Sequence, residues 1–392
     1  MPRAAPVSGP VERLHGLIAR MGPVPWSVLV ETALYGDGGF YASGGGAGRA
    51  RDFLTSPEVG PLFGAVVANA LDETWEALGR PDPWIVVEGG AGTGALAAAV
   101  VQAAPACAGA LRYVAVELSP ALRAATAGRV ALEAPEQVLG PRAAPAPGEE
   151  DHPPDRRPGV GPLVTAVGEL PAGTFTGVVL ANELLDNLPF DVYARASERW
   201  WEVRVGTSEG GFAEVVVPAA ADVAAHLDAL APEAPDGGRV PWQPAAAVWL
   251  RQALAMLERG TVIVVDYARP TSELARVAPS SWLRTYRRGG PGADPLERVG
   301  EQDITADVAV DQLALLRPPT RTSSQATWLA AHGLERLEAD AARRWREGAA
   351  SGGLEALVAR SRVNEAAALR DPSGLGGFTV LEWDVGMPST AG

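Results

Sequence analysis

Short apolar runs alternate with longer amphipathic stretches along most of the chain. Five of these runs have the length of buried strands and contain few polar residues: 84–87, 111–116, 164–167, 177–180 and 261–265. Segments of helical periodicity separate most of them. Because parallel strands are joined by crossover helices, this order predicts an α/β fold with a mainly parallel sheet.

The remaining segments are predicted to surround this sheet. Residues 1–80 carry apolar positions at helical spacing, so we expect a helical N-terminal segment packed on the sheet core, which spans 81–190 and 260–392. Residues 191–259 show a hairpin pattern followed by a helical one, which predicts an inserted hairpin and helical subdomain. Residues 133–162 hold eight prolines and four glycines and are predicted to be a flexible insertion.

The composition excludes several classes of protein. The 392 residues contain no lysine, so all 33 basic residues are arginines and neither a P-loop lysine nor a Schiff-base lysine is available. The formal net charge of −14 argues against a nucleic acid as partner, because duplex binding needs a cationic surface. One cysteine and four scattered histidines provide no evident ligand set, so no metal site is expected.

The sequence shows no targeting or membrane signal. The N-terminus lacks a basic stretch followed by an apolar one, so no secretory signal is predicted. Residues 94–111 carry no charge, but they are mostly alanine and include Gln102 and Pro105, which favours a buried helix over a membrane span. We therefore expect a cytoplasmic protein without a membrane partner. The sequence predicts no particular oligomeric state.

A glycine-rich loop follows the first predicted strand and precedes a predicted helix. Its backbone can pass close to a ligand, and the helix N-terminus offers N–H donors. An acidic residue ends the second predicted strand, 23 residues after the last glycine. In folds that bind dinucleotides, an acidic residue at about 20 residues binds the ribose hydroxyls. The candidate cofactor-binding residues are therefore Glu88, Gly89, Gly90, Gly92, Gly94 and Glu117.

Two cofactors fit this loop. The spacing of Gly90, Gly92 and Ala95 satisfies the nicotinamide pattern G-x-G-x-x-A. The same segment, read from Glu88, satisfies the acidic-x-G-x-G-x-G pattern of class I S-adenosyl-L-methionine (SAM) methyltransferases. The carboxylate of Glu88 would repel a pyrophosphate and tolerate the cationic amino-acid moiety of SAM. This favours SAM, with a nicotinamide cofactor as the alternative.

Polar residues also follow the third and fourth predicted strands. Asn182, Glu183 and Asp186 come after residues 177–180, and ligands of open parallel sheets bind at the carboxyl ends of strands. They are the candidate catalytic residues, since acidic side chains can orient a cationic acceptor and then accept a proton. Glu169 follows residues 164–167 and could accept a hydrogen bond from an adenine amino group. The structural alternatives are a helix-capping loop and a solvated carboxylate.

Several motifs together are similar to those of one family. They are Asp52-Phe53-Leu54-Thr55-Ser56-Pro57-Glu58, Val116-Glu117-Leu118-Ser119-Pro120, Asn182-Glu183 with Asp186, Leu188 and Pro189, Asp266-Tyr267, and Asp303-Ile304-Thr305-Ala306. On these motifs the chain resembles the MidA family of SAM-dependent methyltransferases, which includes the mitochondrial complex I assembly factor that methylates an arginine. The resemblance implies a class I, Rossmann-like methyltransferase fold and SAM as cofactor. It also implies that Ser56, with Asp52 and Glu58, closes the cofactor site from the N-terminal side.

The chain departs from the family pattern at two places that bear on the substrate. Thr93 stands where the cofactor loop of the family usually has arginine, and Arg288 stands where a histidine usually follows Leu283–Arg287. The expected function is a SAM-dependent methyltransferase of the MidA type that methylates a protein arginine, so its partner is a protein or small-molecule methyl acceptor. The alternatives are a small-molecule methyltransferase on the same fold, a SAM-binding assembly factor without turnover, and an NAD-dependent oxidoreductase.

Overall fold

A computed structural model of the protein describes residues 9–46, 55–140, 159–348 and 353–388. The chain divides into two compact units, each built from three segments. We call them the antiparallel unit (Met1–Phe53, Glu183–Gln252 and Asp266–Pro318) and the parallel unit (Leu54–Asn182, Ala253–Val265 and Pro319–Gly392) after their main sheets.

The helices of the described residues are α1 (Pro10–Met21), α2 (Trp26–Leu34), α3 (Ser56–Val59), α4 (Pro61–Ala77), α5 (Ala95–Gln102), α6 (Pro120–Thr126), α7 (Pro135–Leu139), α8 (Ala221–Leu230), α9 (Pro244–Ala255), α10 (Thr271–Leu274), α11 (Val310–Leu316), α12 (Gln325–Ala331), α13 (Leu334–Gly348) and α14 (Leu354–Arg370). Single 3-10 turns lie at Ala106–Gly109, Leu185–Asn187, Pro279–Ser281 and Leu375–Gly377.

The strands are β1 (Val24–Pro25), β2 (Trp84–Gly89), β3 (Leu111–Val116), β4 (Leu163–Val167), β5 (Phe175–Asn182), β6 (Asp191–Ala196), β7 (Arg199–Ser208), β8 (Gly211–Pro218), β9 (Arg239–Trp242), β10 (Leu257–Asp266), β11 (Ala268–Arg269), β12 (Leu283–Arg287), β13 (Gly290–Pro291), β14 (Asp303–Ala306), β15 (Val308–Ala309), β16 (Arg321–Ser324) and β17 (Thr379–Val385).

The parallel unit is built on a seven-stranded sheet in the order β16-β17-β10-β5-β2-β3-β4. The strands from β10 to β4 are mutually parallel, and β16 is antiparallel to β17. Every residue of β3 is buried, as expected for a strand covered on both faces. Each of the five predicted strands lies within one of these strands, so the predicted mainly parallel sheet is confirmed.

The antiparallel unit has a five-stranded sheet. Four of its strands follow the order β1-β7-β6-β9, and the fifth, β8, also pairs with β7. Its core contains Leu14, Trp26, Val203 and Trp282, all at most 2 % exposed. The predicted hairpin and helix appear as β6, β7 and α8.

The domain boundaries differ from the predicted ones. Residues 10–34 belong to the antiparallel unit rather than to the sheet core, because α1 and α2 bury their apolar faces in its core and β1 pairs with β7. Residues 266–318 also belong to this unit, whereas they were predicted to be part of the core. Helical periodicity shows that a face is buried but not which partner covers it.

The predicted flexible insertion at 133–162 is wrong for part of its length. Residues 135–139 form α7, and Val138 is 4 % exposed, so this helix contributes a side chain to the parallel unit. Gly159 N–H donates to an Asp82 carboxylate oxygen at 2.8 Å. Residues 141–158 lie outside the described part of the chain, and Asp52 of the family motif does too.

Candidate functional site

The glycine-rich loop links β2 to α5 in the parallel unit. Gly90, Gly92 and Gly94 have φ angles of +68°, +54° and +75°, in the left-handed region that side chains rarely adopt. A Cβ atom at Gly92 would meet nothing within 4 Å, so there is open space beside the loop. The N–H of Ala91 donates to the carbonyl of Val116 at 3.0 Å and holds the loop at the end of β3. The loop is thus fixed and leaves room for a ligand.

Glu117 follows β3 and accepts two backbone hydrogen bonds. Its Oε2 accepts from the N–H of Gly92 at 2.9 Å, and its Oε1 accepts from the N–H of Ser119 at 2.8 Å. Burial raises the pKa of Glu117, while these two hydrogen bonds lower it. Each carboxylate oxygen has a second lone pair, so the oriented carboxylate can accept from a vicinal diol.

Glu88 is buried at the end of β2, where the hydroxyl of Tyr113 donates to its Oε2 at 2.8 Å. Burial raises the pKa of Glu88 to about 8, against which the Tyr113 hydrogen bond acts. A Glu88 that keeps its proton near pH 7 would repel a pyrophosphate only weakly. The charge of Glu88 is therefore not a sound reason to prefer SAM over a nicotinamide cofactor, which corrects the argument drawn from the sequence. Tyr113 was not among the predicted residues; its signal is a hydroxyl-bearing side chain within a fully buried strand.

Ser56 begins α3 and is fully buried, and its hydroxyl donates to Oε1 of Gln325 at 3.1 Å. Two residues later, Glu58 Oε1 accepts from the hydroxyl of Thr93 at 3.3 Å and from the guanidinium of Arg129 at 2.8 Å. The start of α3 is therefore connected to the glycine-rich loop through Glu58. The roles of Thr93, Arg129 and Gln325 could not be assigned from spacing, because their partners are distant in the sequence.

Glu169 is exposed two residues beyond the end of β4. The structure thus brings Glu88, the glycines and Glu117 together, and places Glu169 at the end of the neighbouring strand.

The predicted catalytic residues lie where the chain passes from one unit to the other. Asn182 is the last residue of β5 in the parallel unit, and Glu183 and Asp186 belong to the antiparallel unit. Glu183 has a φ angle of +52°, which is costly for a residue with a side chain and is common at functional sites. Glu183 lies two residues before the 3-10 turn Leu185–Asn187 that carries Asp186.

Asp186 is 4 % exposed and lies in the 3-10 turn Leu185–Asn187. Its Oδ2 accepts from the hydroxyl of Thr305, whereas its buried Oδ1 has no hydrogen-bond partner among the described residues. Backbone N–H groups of Leu185 and Asp186 donate to Asp266 Oδ2, at 2.9 and 3.4 Å. A second buried carboxyl group therefore holds the turn that carries the first.

A third carboxyl group, Asp303, contacts the same turn through Asn187, whose amide nitrogen donates to Asp303 Oδ1 at 3.0 Å. We call Asp186, Asp266 and Asp303 the carboxylate cluster. Burial raises the pKa of Asp186 to about 6 and that of Asp303 to about 7, and it raises the pKa of Asp266 well above its usual range. Asp266 and Asp303 were recognised only as motif residues, and no spacing rule links them to Asp186.

Asp307 offers a contrast within the same unit. It forms ion pairs with Arg284, at 2.6 Å, and with Arg269, at 2.9 Å. Burial raises the pKa of Asp307, and these two arginines act against that rise. The described residues show no such direct ion pair for the carboxylate cluster, although the charge of Arg284 also lowers the pKa of Asp186 against the effect of burial.

The described residues contain neither a group of metal ligands nor a membrane-spanning helix. No group of three or more His, Cys, Asp or Glu side chains is placed to hold a metal ion. No helix in the described ranges is both long and apolar enough to cross a membrane.

Comparison with known proteins identifies the family. The family model described as S-adenosyl-L-methionine-dependent methyltransferase matches residues 66–321, more than half of the chain. The chain belongs to this family. Family membership decides for SAM and against a nicotinamide cofactor, and this methyltransferase is of the MidA type that its motifs indicated.

Relatives of this methyltransferase agree with the assignment. The Drosophila melanogaster protein arginine methyltransferase NDUFAF7 homolog, mitochondrial, is 26 % identical over 316 residues, which are 76 % of this chain and 67 % of the relative. A COG1565 superfamily member from Burkholderia thailandensis, crystallised with S-adenosyl-homocysteine, has a TM-score of 0.76 and 28 % identity over 98 % of this chain and 96 % of its own. A native COG1565 structure from the same organism has a TM-score of 0.74 and 27 % identity over the same shares. The predicted class I methyltransferase fold and the SAM cofactor are confirmed.

Proposed function

We propose that this methyltransferase transfers a methyl group to the guanidinium of an arginine in a protein. The observation that carries the proposal is the buried Oδ1 of Asp186, which has no hydrogen-bond partner among the described residues. A buried acceptor without a partner is costly, and a guanidinium offers five donors of the opposite charge. The name of the Drosophila relative, a protein arginine methyltransferase, supports the same acceptor.

The proposal gives Asp186 and Glu183 the roles of orienting the acceptor nitrogen and accepting the proton that it loses. SAM, when bound, supplies an electrophilic methyl group, and the protein contributes mainly positioning and exclusion of water. The raised pKa of Asp186, about 6, still leaves this carboxyl ionised near pH 7. Asn182 would hold the acceptor through its amide oxygen.

For the cofactor, the proposal assigns the ribose hydroxyls to Glu117 and the methionine moiety to the glycine-rich loop. The supporting features are the open space beside Gly92 and the two spare lone pairs of the Glu117 carboxylate. Glu88 would meet the ammonium group and Glu169 the adenine amino group. Ser56 would close the site through α3. The predicted cytoplasmic location stays a prediction, since the Drosophila relative is named as mitochondrial.

The test is methyl transfer from SAM labelled in its methyl group into a cell lysate, followed by separation of protein from small molecules. Hydrolysis of labelled protein should give methylarginine, and Asp186→Asn should abolish most of the label. Asp191→Asn is the matched control, because Asp191 is a half-buried carboxylate of the same unit that accepts from the N–H of Ser27. Label confined to small molecules would overturn the protein acceptor. SAM binding without any transfer would favour the assembly-factor alternative.

A further inference from the structure

The half-buried Tyr41 and the buried Asn187 and Asp303 form a network in which oxygen contacts outnumber the hydrogens that these three side chains supply. The hydroxyl oxygen of Tyr41 lies 3.0 Å from Asp303 Oδ1 and 3.1 Å from Asn187 Oδ1. A tyrosine hydroxyl has a single hydrogen, and neither an ionised carboxylate oxygen nor an amide oxygen can donate one. One hydrogen therefore serves two close oxygen contacts.

The orientation of the Asn187 amide is fixed by its other neighbours. Its Nδ2 lies 3.1 Å from the main-chain carbonyl of Ile304, which can only accept, and 3.0 Å from Asp303 Oδ1. Reversing the amide would place its oxygen against both of these acceptors, so Oδ1 must face Tyr41. The shortage of hydrogens is thus not removed by turning the amide.

A single proton on Asp303 completes the network. If Asp303 Oδ1 is protonated and donates to the Tyr41 oxygen, the Tyr41 hydrogen is free to donate to Asn187 Oδ1. Both amide hydrogens of Asn187 keep their acceptors. We propose that Asp303 is a positioning residue that carries this proton and, through Asn187, fixes the turn that presents Asp186. The role of Asp303 in catalysis rests on the proposed function, whereas the presence of a proton on Asp303 does not depend on it.

The surroundings of Asp303 agree with a retained proton. Burial, and then the charge of Asp186, raise the pKa of Asp303 to about 7, while hydrogen bonds from Tyr41, Asn187 and the N–H of Ile304 lower it. Among the described residues, the titratable and charged groups near this network include Tyr35, Asp186 and Asp266. The neighbouring strand β12 carries Arg284, Tyr286 and Arg287, and Arg287 forms an ion pair with Glu301. Because the charge of Asp186 opposes a second charge on Asp303, Asp303 keeps its proton to a higher pH than an ordinary aspartic acid does. Once Asp303 ionises, a second charge appears and the network lacks a hydrogen.

The first test is thermal unfolding below and above the pKa of Asp303, which is about 7. Asp303→Asn removes the group that titrates, but its amide nitrogen cannot both donate to Tyr41 and accept from Asn187 Nδ2, as a protonated Oδ1 can. The folded wild type retains a proton that the unfolded chain releases, so wild-type stability falls as the pH rises towards the folded pKa. We therefore expect Asp303→Asn to lower the Tm at both pH values, and by several degrees more at about pH 5.5 than at about pH 8.5.

Asp311→Asn is the control for this test. Asp311 Oδ1 accepts from the N–H of Thr271 at 3.0 Å and from its hydroxyl at 2.8 Å, and both donors bring their own hydrogens. The control should lower the Tm by a similar amount at both pH values, because an amide nitrogen there would face donors. If Asp303→Asn behaves in the same way, Asp303 does not hold the proton.

The second test measures methyl transfer from labelled SAM into total lysate protein as a function of pH. Wild-type activity should fall above about pH 7, and Asp303→Asn should keep its activity to a pH at least one unit higher. Tyr41→Phe removes the oxygen that creates the shortage, so it should also lose the alkaline fall while lowering the Tm throughout.

The two tests separate the proposals. Coincident activity profiles for wild type and Asp303→Asn would overturn the positioning role. Absence of transfer in every variant, together with the expected Tm pattern, would retain the proton and overturn the proposed function instead.

Discussion

The two units stabilise their buried carboxyl groups in different ways. In the parallel unit, Glu117 accepts backbone hydrogen bonds from Gly92 and Ser119, and Glu88 accepts one from the side-chain hydroxyl of Tyr113 on the adjacent strand. In the antiparallel unit, the carboxylate cluster combines residues from two segments of the unit, and one oxygen of Asp186 has no partner among the described residues. Each carboxylate oxygen of Glu117 thus has a donor before a ligand arrives, whereas Asp186 has one oxygen without a donor in the described part of the chain.

The largest expected effect comes from removing the charge of Asp186. Asp186→Asn keeps the size of the side chain and an oxygen for the Thr305 hydroxyl, but it replaces the proposed proton acceptor with an amide. We expect turnover to fall by roughly 10²–10⁴-fold, the typical contribution of a general base. Affinity for SAM, measured by calorimetry, should remain close to that of the wild type.

Glu183→Gln tests the second proposed carboxylate, which lies three residues before Asp186 in the sequence. Because Glu183 is only half-buried, we expect a smaller loss of turnover than for Asp186→Asn. Wild-type turnover in both variants would contradict the proposed roles of these carboxyl groups. The oxygen of Asp186 that has no hydrogen-bond partner among the described residues would then not be a binding site for the methyl acceptor.

The comparison also explains which features the sequence could predict. Strands β2 and β3, the glycine-rich loop and Glu117 lie within about 30 residues of each other, so local spacing rules identified them. The carboxylate cluster joins residues 186, 266 and 303, which are far apart in the sequence and come together only in the folded protein. Residues 10–34 were misassigned for the same reason, since amphipathic helices do not specify their partner. The family motifs therefore pointed to residues that make non-local contacts, whereas hydrophobic periodicity could not identify such contacts.

The second effect tests the parallel unit through Glu117→Ala. The variant removes the carboxylate proposed for the ribose diol, and hydrogen bonds to a charged group contribute about 1.5–3 kcal/mol each. SAM affinity measured by calorimetry should therefore fall roughly 10- to 150-fold. A modest loss of thermal stability is also expected, because Gly92 and Ser119 lose an acceptor.

Glu133→Ala is a suitable control, since it removes an exposed carboxylate that follows α6 in the same unit. If a folded Glu117→Ala protein binds SAM as tightly as the wild type does, Glu117 is not part of the cofactor site.

A third, smaller effect concerns the pH dependence of SAM affinity. If Glu88 pairs with the ammonium group of SAM, it must release the proton that burial holds up to about pH 8. Affinity should then rise with pH by up to about tenfold per unit below this value. Glu88→Gln keeps an acceptor for the Tyr113 hydroxyl but cannot ionise, so its affinity should not change over this range. Equal pH profiles would mean that Glu88 stays neutral and only supports the loop.

The smallest effect is expected for the proline-rich segment at 141–158. Its neighbours are held in place, because α7 buries Val138 and Gly161 N–H donates to the carbonyl of Gly109 at 2.7 Å. Loop-closure entropy changes by only about 0.6 kcal/mol for each doubling of length, so a Gly/Ser linker of half the length should leave the Tm within a few degrees of the wild-type value. Transfer of label from SAM into lysate protein should also be normal. A protein that folds but no longer transfers methyl groups would instead make this segment part of acceptor binding.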